Sequence, residues 1–123
     1  MLTGVKVGLT GFCLGGAVTI LGAVRVPEFS AAVCFYGIPP ASAADPADIR
    51  VPLQAHFAND DDWCTPAAVD GFEAALKGAG KSAEIFRYDA KHGFMNEQRP
   101  DAHQRQAAEL AWSRTLGFWG MHL

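Results

Sequence analysis

The chain has 123 residues, which is enough for one domain with a real core and too few for two. Half of the residues are hydrophobic, 19% are charged and 13 are glycine, a composition that excludes disorder and favours a compact α/β domain with tight turns. The formal net charge of −3, with Lys and Arg scattered along the chain, excludes nucleic acid as an expected partner. We therefore treat residues 1–123 as a single domain.

The three cysteines, Cys13, Cys34 and Cys64, cannot all pair with one another. None lies in a CxxC pair or beside a spaced histidine, as a zinc ligand would. This usage predicts reduced thiols, a cytoplasmic location and no metal site.

The stretch from Val7 to Val24 contains no charged residue and is about as long as a membrane span. The alternatives at this point are a signal peptide or a transmembrane helix. Five glycines interrupt the stretch, and no small-x-small cleavage site follows at a suitable distance. We expect a buried strand, a turn and a buried helix instead, and no membrane partner.

Apolar runs alternate with helical patterns along the chain. The run Val5–Thr10 is rich in β-branched residues and predicts a strand, and Leu14–Val24 predicts a helix buried on most sides. The later predicted elements are a strand at Ala31–Tyr36, a loop at Pro39–Arg50, a strand at Val51–Ala58, a helix from Pro66 to about Lys77 capped by Thr65, an edge strand at Ala83–Tyr88 and a helix at Pro100–Trp119.

This alternation predicts right-handed crossovers and a three-layer α/β/α fold with a mostly parallel sheet. Ligands of such sheets bind beyond the carboxyl ends of the strands, so reactive residues are expected in the loops that follow strands. Cys13 follows the first predicted strand, Asp60–Asp62 follow the third and His92 follows the fourth.

Gly11-Phe12-Cys13-Leu14-Gly15 matches the nucleophile-elbow pattern G-x-S-x-G with cysteine in place of serine. In that turn the nucleophile is strained, and the flanking glycines avoid collisions with the strand and the helix. The sulfur would lie at a helix N-terminus, which favours a thiolate, and the Leu14 N–H would donate to an oxyanion. The alternative is a buried structural cysteine in a Gly-rich turn.

A thiol nucleophile needs a base, and histidine titrates in the suitable range. His92 lies in a Gly-containing loop between a strand and a helix, although it could be a solvated loop residue. His56 lies inside a predicted strand, whereas His103 and His122 lie in or after the last helix, so these three are interpreted as packing or surface residues.

An acid is then required to orient the imidazole. The segment from Ala58 to Asp61 fits a Gly-x-x-Asp loop with Ala for Gly, which predicts Asp61 as the acid. Counting back from Pro66 favours Asp62 instead, and that alternative stays open. At least two of the three aspartates are expected to cap the next helix or to be solvated.

Three blocks, GFCLGGA around Cys13, HFANDDDWCTP around Asp61 and YDAKHGFMN around His92, resemble the dienelactone hydrolase family. They occur in the family order of nucleophile, acid and histidine over nearly the whole chain. The resemblance implies an α/β-hydrolase fold, a cysteine nucleophile and no metal or organic cofactor. It also implies hydrolysis of a small ester or lactone, of the carboxymethylenebutenolidase type.

The resemblance extends to the surroundings of the nucleophile, with one departure. It implies that Phe12 and Leu14 adjoin the oxyanion and that Trp63, Phe94 and Tyr36 line the pocket, although aromatic residues at such positions are as often core. Members of the family place an arginine four residues after the histidine to hold a substrate carboxylate, and this chain has Asn96 there. The substrate is therefore left open.

The resemblance also implies that another half-chain precedes the elbow in family members, with early strands, a glutamate near the cysteine and a second oxyanion donor. We therefore expect a truncated α/β-hydrolase fold that lacks the N-terminal strands. The exposed edge of the strand Val5–Thr10 should then promote self-association.

Two alternatives to an active hydrolase remain. One is a fragment that keeps the triad residues but cannot stabilise the tetrahedral intermediate. The other is a thiol redox or peroxide-reactive protein that uses Cys13, with Cys34 or Cys64 as the resolving thiol.

Overall fold

A computed structural model describes residues 5–123. The first four residues of the predicted single domain, residues 1–123, lie outside the described residues. Strands and helices alternate as the sequence predicts. In chain order they are β1 (Gly8–Phe12), α1 (Leu14–Arg25), β2 (Ala31–Phe35), a short 3₁₀ helix (Pro46–Asp48), β3 (Leu53–Asp60), α2 (Pro66–Gly78), β4 (Ala83–Lys91) and α3 (Arg105–His122).

The four strands form one parallel sheet in the order β1-β2-β3-β4. Gly8 pairs with Ala31 at the β1–β2 contact, and Leu53 of β3 pairs with both Ala32 and Ala83. All four strands therefore present their carboxyl ends at the same edge of the sheet. Within the described residues, β1 pairs only with β2, so its outer edge is free.

Helices cover both faces of the sheet, which confirms the predicted three-layer fold. On one face α1 contributes Ile20 and Ala23 to the core, and α2 contributes Val69, Phe72 and Leu76. On the other face α3 contributes Ala107, Ala111 and Phe118. Every residue of β2 is buried, as expected of a strand covered on both faces.

Several element boundaries differ from the predicted ones. The first strand begins at Gly8 rather than Val5. The last helix begins at Arg105 rather than Pro100, because the Gln104 side chain accepts a hydrogen bond from the Ala107 N–H at 3.0 Å and caps it there. His103 therefore precedes α3 instead of lying in or after it.

The uncharged stretch Val7–Val24 divides between β1 and α1, and α1 has only 12 residues. None of the helices between residues 5 and 123 is both long and apolar enough to cross a bilayer. The strand–turn–helix interpretation of this stretch is therefore correct.

Candidate active site

Cys13 lies in the sharp turn between β1 and α1, with a left-handed backbone (φ 58°, ψ −122°). Its N–H donates to the Phe35 carbonyl at 3.1 Å, and its own carbonyl accepts from the Gly16 N–H at 2.9 Å. A Cβ on Gly11 would collide with the Gly15 carbonyl, and one on Gly16 would collide with the Phe35 carbonyl. These close approaches explain two of the glycines and the strain at the turn.

The expectation that Gly15 must also lack a side chain is wrong. A Cβ at Gly15 would meet no atom of the described chain within 4 Å. The crowding falls one residue later, at Gly16, because that residue faces the end of β2. The elbow pattern therefore identifies the turn correctly but assigns one steric constraint to the wrong glycine.

The Cys13 thiol is half-buried, and burial raises its pKa. The Arg99 charge lowers this pKa and the Asp61 charge raises it, both less strongly than burial does. The pKa of Cys13 is therefore shifted toward the thiol rather than toward the thiolate expected from the sequence. The resting sulfur is a thiol, and its activation needs a base.

Cys34 and Cys64 differ from Cys13 in burial and in position. Both are buried, and burial raises the pKa of each thiol to about 12. They belong to the core on the α1–α2 face of the sheet, whereas Cys13 packs against the core on the α3 face. All three cysteines are free, and the cytoplasmic location inferred from them stays a prediction. This separation weakens the redox alternative, which needs a resolving thiol near Cys13.

Asp61 is the aspartate that contacts His92. Its Oδ2 accepts a hydrogen bond from His92 Nδ1 at 2.6 Å, while its Oδ1 accepts from the backbone N–H groups of Trp63 and Cys64, each at 2.8 Å. The Asp61 side chain is fully buried, whereas Asp62 is exposed. The loop after β3 therefore aims one carboxylate inward at the histidine.

The His92 ring is enclosed by aromatic side chains. The Tyr36 ring meets it edge-on with centroids 4.9 Å apart, and the Trp63 ring does so at 5.1 Å. The His92 side chain keeps 21% of its surface exposed. Because His92 directly follows β4, it lies at the carboxyl ends of the strands, where the elbow that follows β1 also lies.

A cavity of about 360 Å³ opens beside Cys13. Its lining residues are Phe12, Cys13, Tyr36, Gly93, Met95, Asn96 and Arg99. A neighbouring cavity of about 420 Å³ adjoins His92 and shares Arg99. A larger one of about 550 Å³ lies at the amino ends of β3 and β4, away from every candidate residue, so it is not the candidate site.

The predicted lining residues have different positions. Phe12 lines the Cys13 cavity and stacks on Phe35 with ring centroids 4.5 Å apart, and Trp63 lines the His92 cavity. Leu14 is 69% exposed at the start of α1. Phe94 is fully buried behind Tyr36 and belongs to the core, so its expected place in the pocket wall is wrong.

Arg99 is the cavity residue that sequence reasoning missed. It follows His92 by seven residues, in the loop that leads to α3. The prediction of a helix from Pro100 obscured it, because residues 100–104 were assigned to that helix rather than to a loop returning to the site. The Gln104 N–H donates to the Phe94 carbonyl at 3.2 Å, which holds that loop against the histidine segment.

His56 is a core residue, as its strand position predicts. Its ring stacks on Phe35 with centroids 4.7 Å apart, and its two nitrogens are hydrogen-bonded to Tyr88 Oη and Gln54 Oε1, each at 2.7 Å. Burial, assisted by the Arg114 charge, lowers the pKa of His56 to about 3. His56 is therefore neutral and has no free nitrogen for catalysis.

Within the part of the chain that the structure describes, His, Cys, Asp and Glu side chains form no group of three suited to hold a metal ion. The reactive groups of the site are a thiol, an imidazole, a carboxylate and backbone N–H groups.

The fold and the elbow define the class as an α/β-hydrolase, and solved structures agree. A crystal structure titled "Putative Dienelactone Hydrolase" from Klebsiella pneumoniae is 28% identical, with a TM-score of 0.85 over 94% of this chain and 52% of its own. The dienelactone hydrolase-like phosphotriesterase P91, from metagenomic libraries, shares the fold at 20% identity, with a TM-score of 0.87 over 98% of this chain and 54% of its own.

Residues 2–123 match the family model described as "Dienelactone hydrolase family". The chain belongs to this family. Among similar curated proteins, "Protein usf" of Aquifex pyrophilus is 32% identical over 96% of this chain and 52% of the relative. A "Putative carboxymethylenebutenolidase" of Escherichia coli K12 is 35% identical over 88% of this chain and 43% of the relative. The chain thus spans about half the length of the relatives that it matches.

Proposed function

We propose that this chain carries the catalytic residues of a small-molecule ester or lactone hydrolase, with Cys13 as nucleophile, His92 as base and Asp61 as the acid that orients the base. The observation that carries this proposal is the 2.6 Å hydrogen bond from His92 Nδ1 to buried Asp61 Oδ2, at the sheet edge where the strained Cys13 also lies. A carboxylate on Nδ1 leaves Nε2 as the nitrogen that accepts a proton.

Attack requires the thiol to lose its proton, since burial raises the pKa of Cys13. His92 Nε2 takes that proton as the sulfur bonds to the carbonyl carbon of the substrate. The carbonyl oxygen becomes an oxyanion. The Leu14 N–H is in the first turn of α1, where a helix has no internal acceptor for it, and so it is free to donate to this oxyanion.

The tetrahedral intermediate collapses when His92 returns the proton to the departing alkoxide oxygen, which leaves a thioester on Cys13. Water then adds to the thioester with His92 again as base. The acid product leaves, and the thiol is restored. Asp61 keeps the imidazole in one tautomer during acylation and during hydrolysis of the thioester, and it stabilises the imidazolium that forms in each step.

The cavity supports a small substrate. Its volume of about 360 Å³ is at the lower end of small-molecule pockets. The side chains of Phe12, Tyr36 and Met95 give it apolar walls, and Asn96 and Arg99 add polar groups. Several relatives carry the name carboxymethylenebutenolidase, which supports a lactone or an activated ester as the substrate.

Hydrolysis of p-nitrophenyl esters tests the proposal. His92→Gln should remove at least 99% of any activity, because the thiol then has no base. The matched control is His103→Gln, which changes a histidine in the loop before α3 outside the Cys13 cavity and should leave activity within twofold. Equal losses in the two variants would contradict the role of His92.

A second candidate is a chain with the triad residues but negligible turnover. It is favoured by one observation, namely that the chain matches only 43–52% of these two relatives. An active hydrolase and such a chain differ in turnover but share the reactivity of Cys13. Multiple-turnover hydrolysis therefore separates them from each other, whereas single-turnover acylation locates the nucleophile in either case.

A further inference from the structure

Two residues other than glycine have a left-handed backbone among residues 5–123: Cys13 with φ 58° and Tyr36 with φ 36°. Each directly follows one of the neighbouring strands β1 and β2, and both line the same cavity. A residue with a large side chain keeps such a conformation only where its surroundings hold it, and such residues cluster at functional sites. The elbow explains the backbone of Cys13, whereas that of Tyr36 needs a reason of its own.

The backbone around Tyr36 is held from two sides. Its N–H donates to the His56 carbonyl at 2.8 Å, which anchors it to β3. The next residue, Gly37, lies so close to the Cys13 carbonyl that a Cβ there would collide with it. The turn at the end of β2 is therefore fixed directly against the elbow.

This backbone directs the Tyr36 side chain toward the loop that carries His92. The ring is 1% exposed and lies edge-on to His92 at 4.9 Å and to Phe94 at 5.3 Å between centroids. One side chain thus contacts two residues of the histidine loop.

The Asp61 hydrogen bond holds His92 Nδ1, but small coupled changes in χ1 and χ2 can still tilt the ring while that bond stays within hydrogen-bond distance. Aromatic rings packed on the imidazole restrict this tilt. Tyr36 lies at 63° to the His92 ring plane and Trp63 at 87°. Tyr36 is the buried one of the two, since Trp63 is 55% exposed, and it alone of them lines the Cys13 cavity. Its contact is therefore the more rigid one.

We propose that Tyr36 is a positioning residue that holds the His92 imidazole in the plane from which Nε2 reaches the Cys13 cavity. The inference rests on the proposed function for its catalytic meaning. The Tyr36 ring acts by packing against the imidazole, and the left-handed backbone of Tyr36 sets the ring in place. The rate should depend on it more than the substrate affinity does, because a misplaced base slows proton transfer, whereas a leucine would keep an apolar wall at this position of the cavity.

The test compares Tyr36→Leu, Tyr36→Phe and the control Phe57→Leu, which removes an equally buried ring that packs against Phe72 in the core on the other face of the sheet. Two quantities are measured at a temperature where each variant is folded. One is the exchange rate of the His92 Nδ1 proton with water by NMR, which does not depend on turnover. The other is the split between kcat and KM on an activated ester.

Tyr36→Leu should speed the Nδ1 proton exchange at least tenfold and lower kcat at least thirtyfold, with KM within threefold. Tyr36→Phe and Phe57→Leu should keep the exchange rate and kcat within threefold of the parent. A large loss in Tyr36→Phe would overturn the inference even if Tyr36→Leu fails to fold, as would a Phe57→Leu variant that matches Tyr36→Leu. If the parent hydrolyses no ester, the proposed function fails, while the exchange rates still decide the role of Tyr36.

Discussion

The reactivity of the three cysteines follows from their burial. Cys34 and Cys64 are buried, and each has a pKa of about 12, whereas Cys13 is half-buried beside an open cavity. Iodoacetamide should therefore modify Cys13 first, and its rate should rise with pH because burial raises the Cys13 pKa too. Mass spectrometry of partly labelled protein locates the label. Faster modification of Cys34 or Cys64 would contradict the elbow geometry.

The side chains of Asp61 and Asp62 point in different directions although the two residues are adjacent. In Asp61→Asn, Oδ1 can still accept from the Trp63 and Cys64 N–H groups, but an amide NH₂ would replace Oδ2 and oppose the His92 Nδ1 proton. The imidazole should then change tautomer, and any ester hydrolysis should fall by about 10⁴, as when a triad aspartate becomes Asn.

Asp62→Asn is the matched control. Asp62 is exposed, and the substitution removes the same charge one residue away from Asp61. Asp62 lines the cavity beside His92 but is not hydrogen-bonded to the His92 ring, so we expect the activity of Asp62→Asn to stay within about threefold of the parent. Steady-state kinetics on one activated ester compare the two variants. A larger loss in Asp62→Asn would show that the acid is Asp62.

At the scale of elements, the contact between the sheet and α3 includes a buried polar network around His56. The His56 ring bonds Tyr88 and Gln54, and Gln54 Nε2 donates to the Arg114 carbonyl of α3 at 3.2 Å. The pKa of His56 falls from its ordinary 6.5 to about 3 because burial disfavours the charged ring.

This depressed pKa predicts acid sensitivity. Above pH 6.5 neither state binds the proton, so stability is complete; between pH 6.5 and 3 only the unfolded chain binds it, and stability falls as pH falls. Urea unfolding at pH 7 and pH 4.5 measures the change. In His56→Gln the loss of stability between these two pH values should be smaller than in the parent, although the variant is less stable at pH 7. An unchanged pH dependence would contradict a neutral, buried His56.

The sequence predicts the elements better than their ends. Short apolar runs and Gly, Pro and Thr signals locate β2, the Thr65 cap and α2, because these features depend on local chemistry: Thr65 Oγ1 accepts from the Ala68 N–H at 3.2 Å, as a cap does. The start predicted for α3 is five residues too early, because the helix is capped by Gln104, a residue type that gives a weak capping signal. The resemblance places Tyr36 in the pocket wall, where it lies. The place of Arg99, the contact of Tyr36 with His92 and the role of Gly16 depend on contacts between distant segments, which no local pattern contains.

At the scale of the whole molecule, the outer side of β1 has no partner strand within residues 5–123. The predicted edge at Val5–Thr10 is corrected to Gly8–Phe12, the strand that the structure contains. Beside it, α1 exposes Leu14 at 69% and Val18 at 53%. Unpaired strand edges and apolar flanks promote association, so we propose that the 123-residue chain by itself associates through this surface.

Sedimentation velocity between about 1 and 100 μM tests this association. The parent should show a sedimentation coefficient that rises with concentration, and Val18→Lys should weaken the rise because it adds a charge to the exposed flank. Met121→Lys is the control, since Met121 is 80% exposed at the far end of α3. A parent that stays monomeric at all concentrations, or equal effects of the two substitutions, would contradict the proposal.

The central claim is that Cys13 is the nucleophile activated by His92. Its most direct measurement is the mass of the chain, quenched in acid within seconds of mixing with p-nitrophenyl acetate. We predict one acetyl group on the parent, located on Cys13, with its formation slowed at least tenfold in His92→Gln and absent in Cys13→Ala. An acetyl group on another residue, or the same acylation rate in Cys13→Ala as in the parent, would contradict the account.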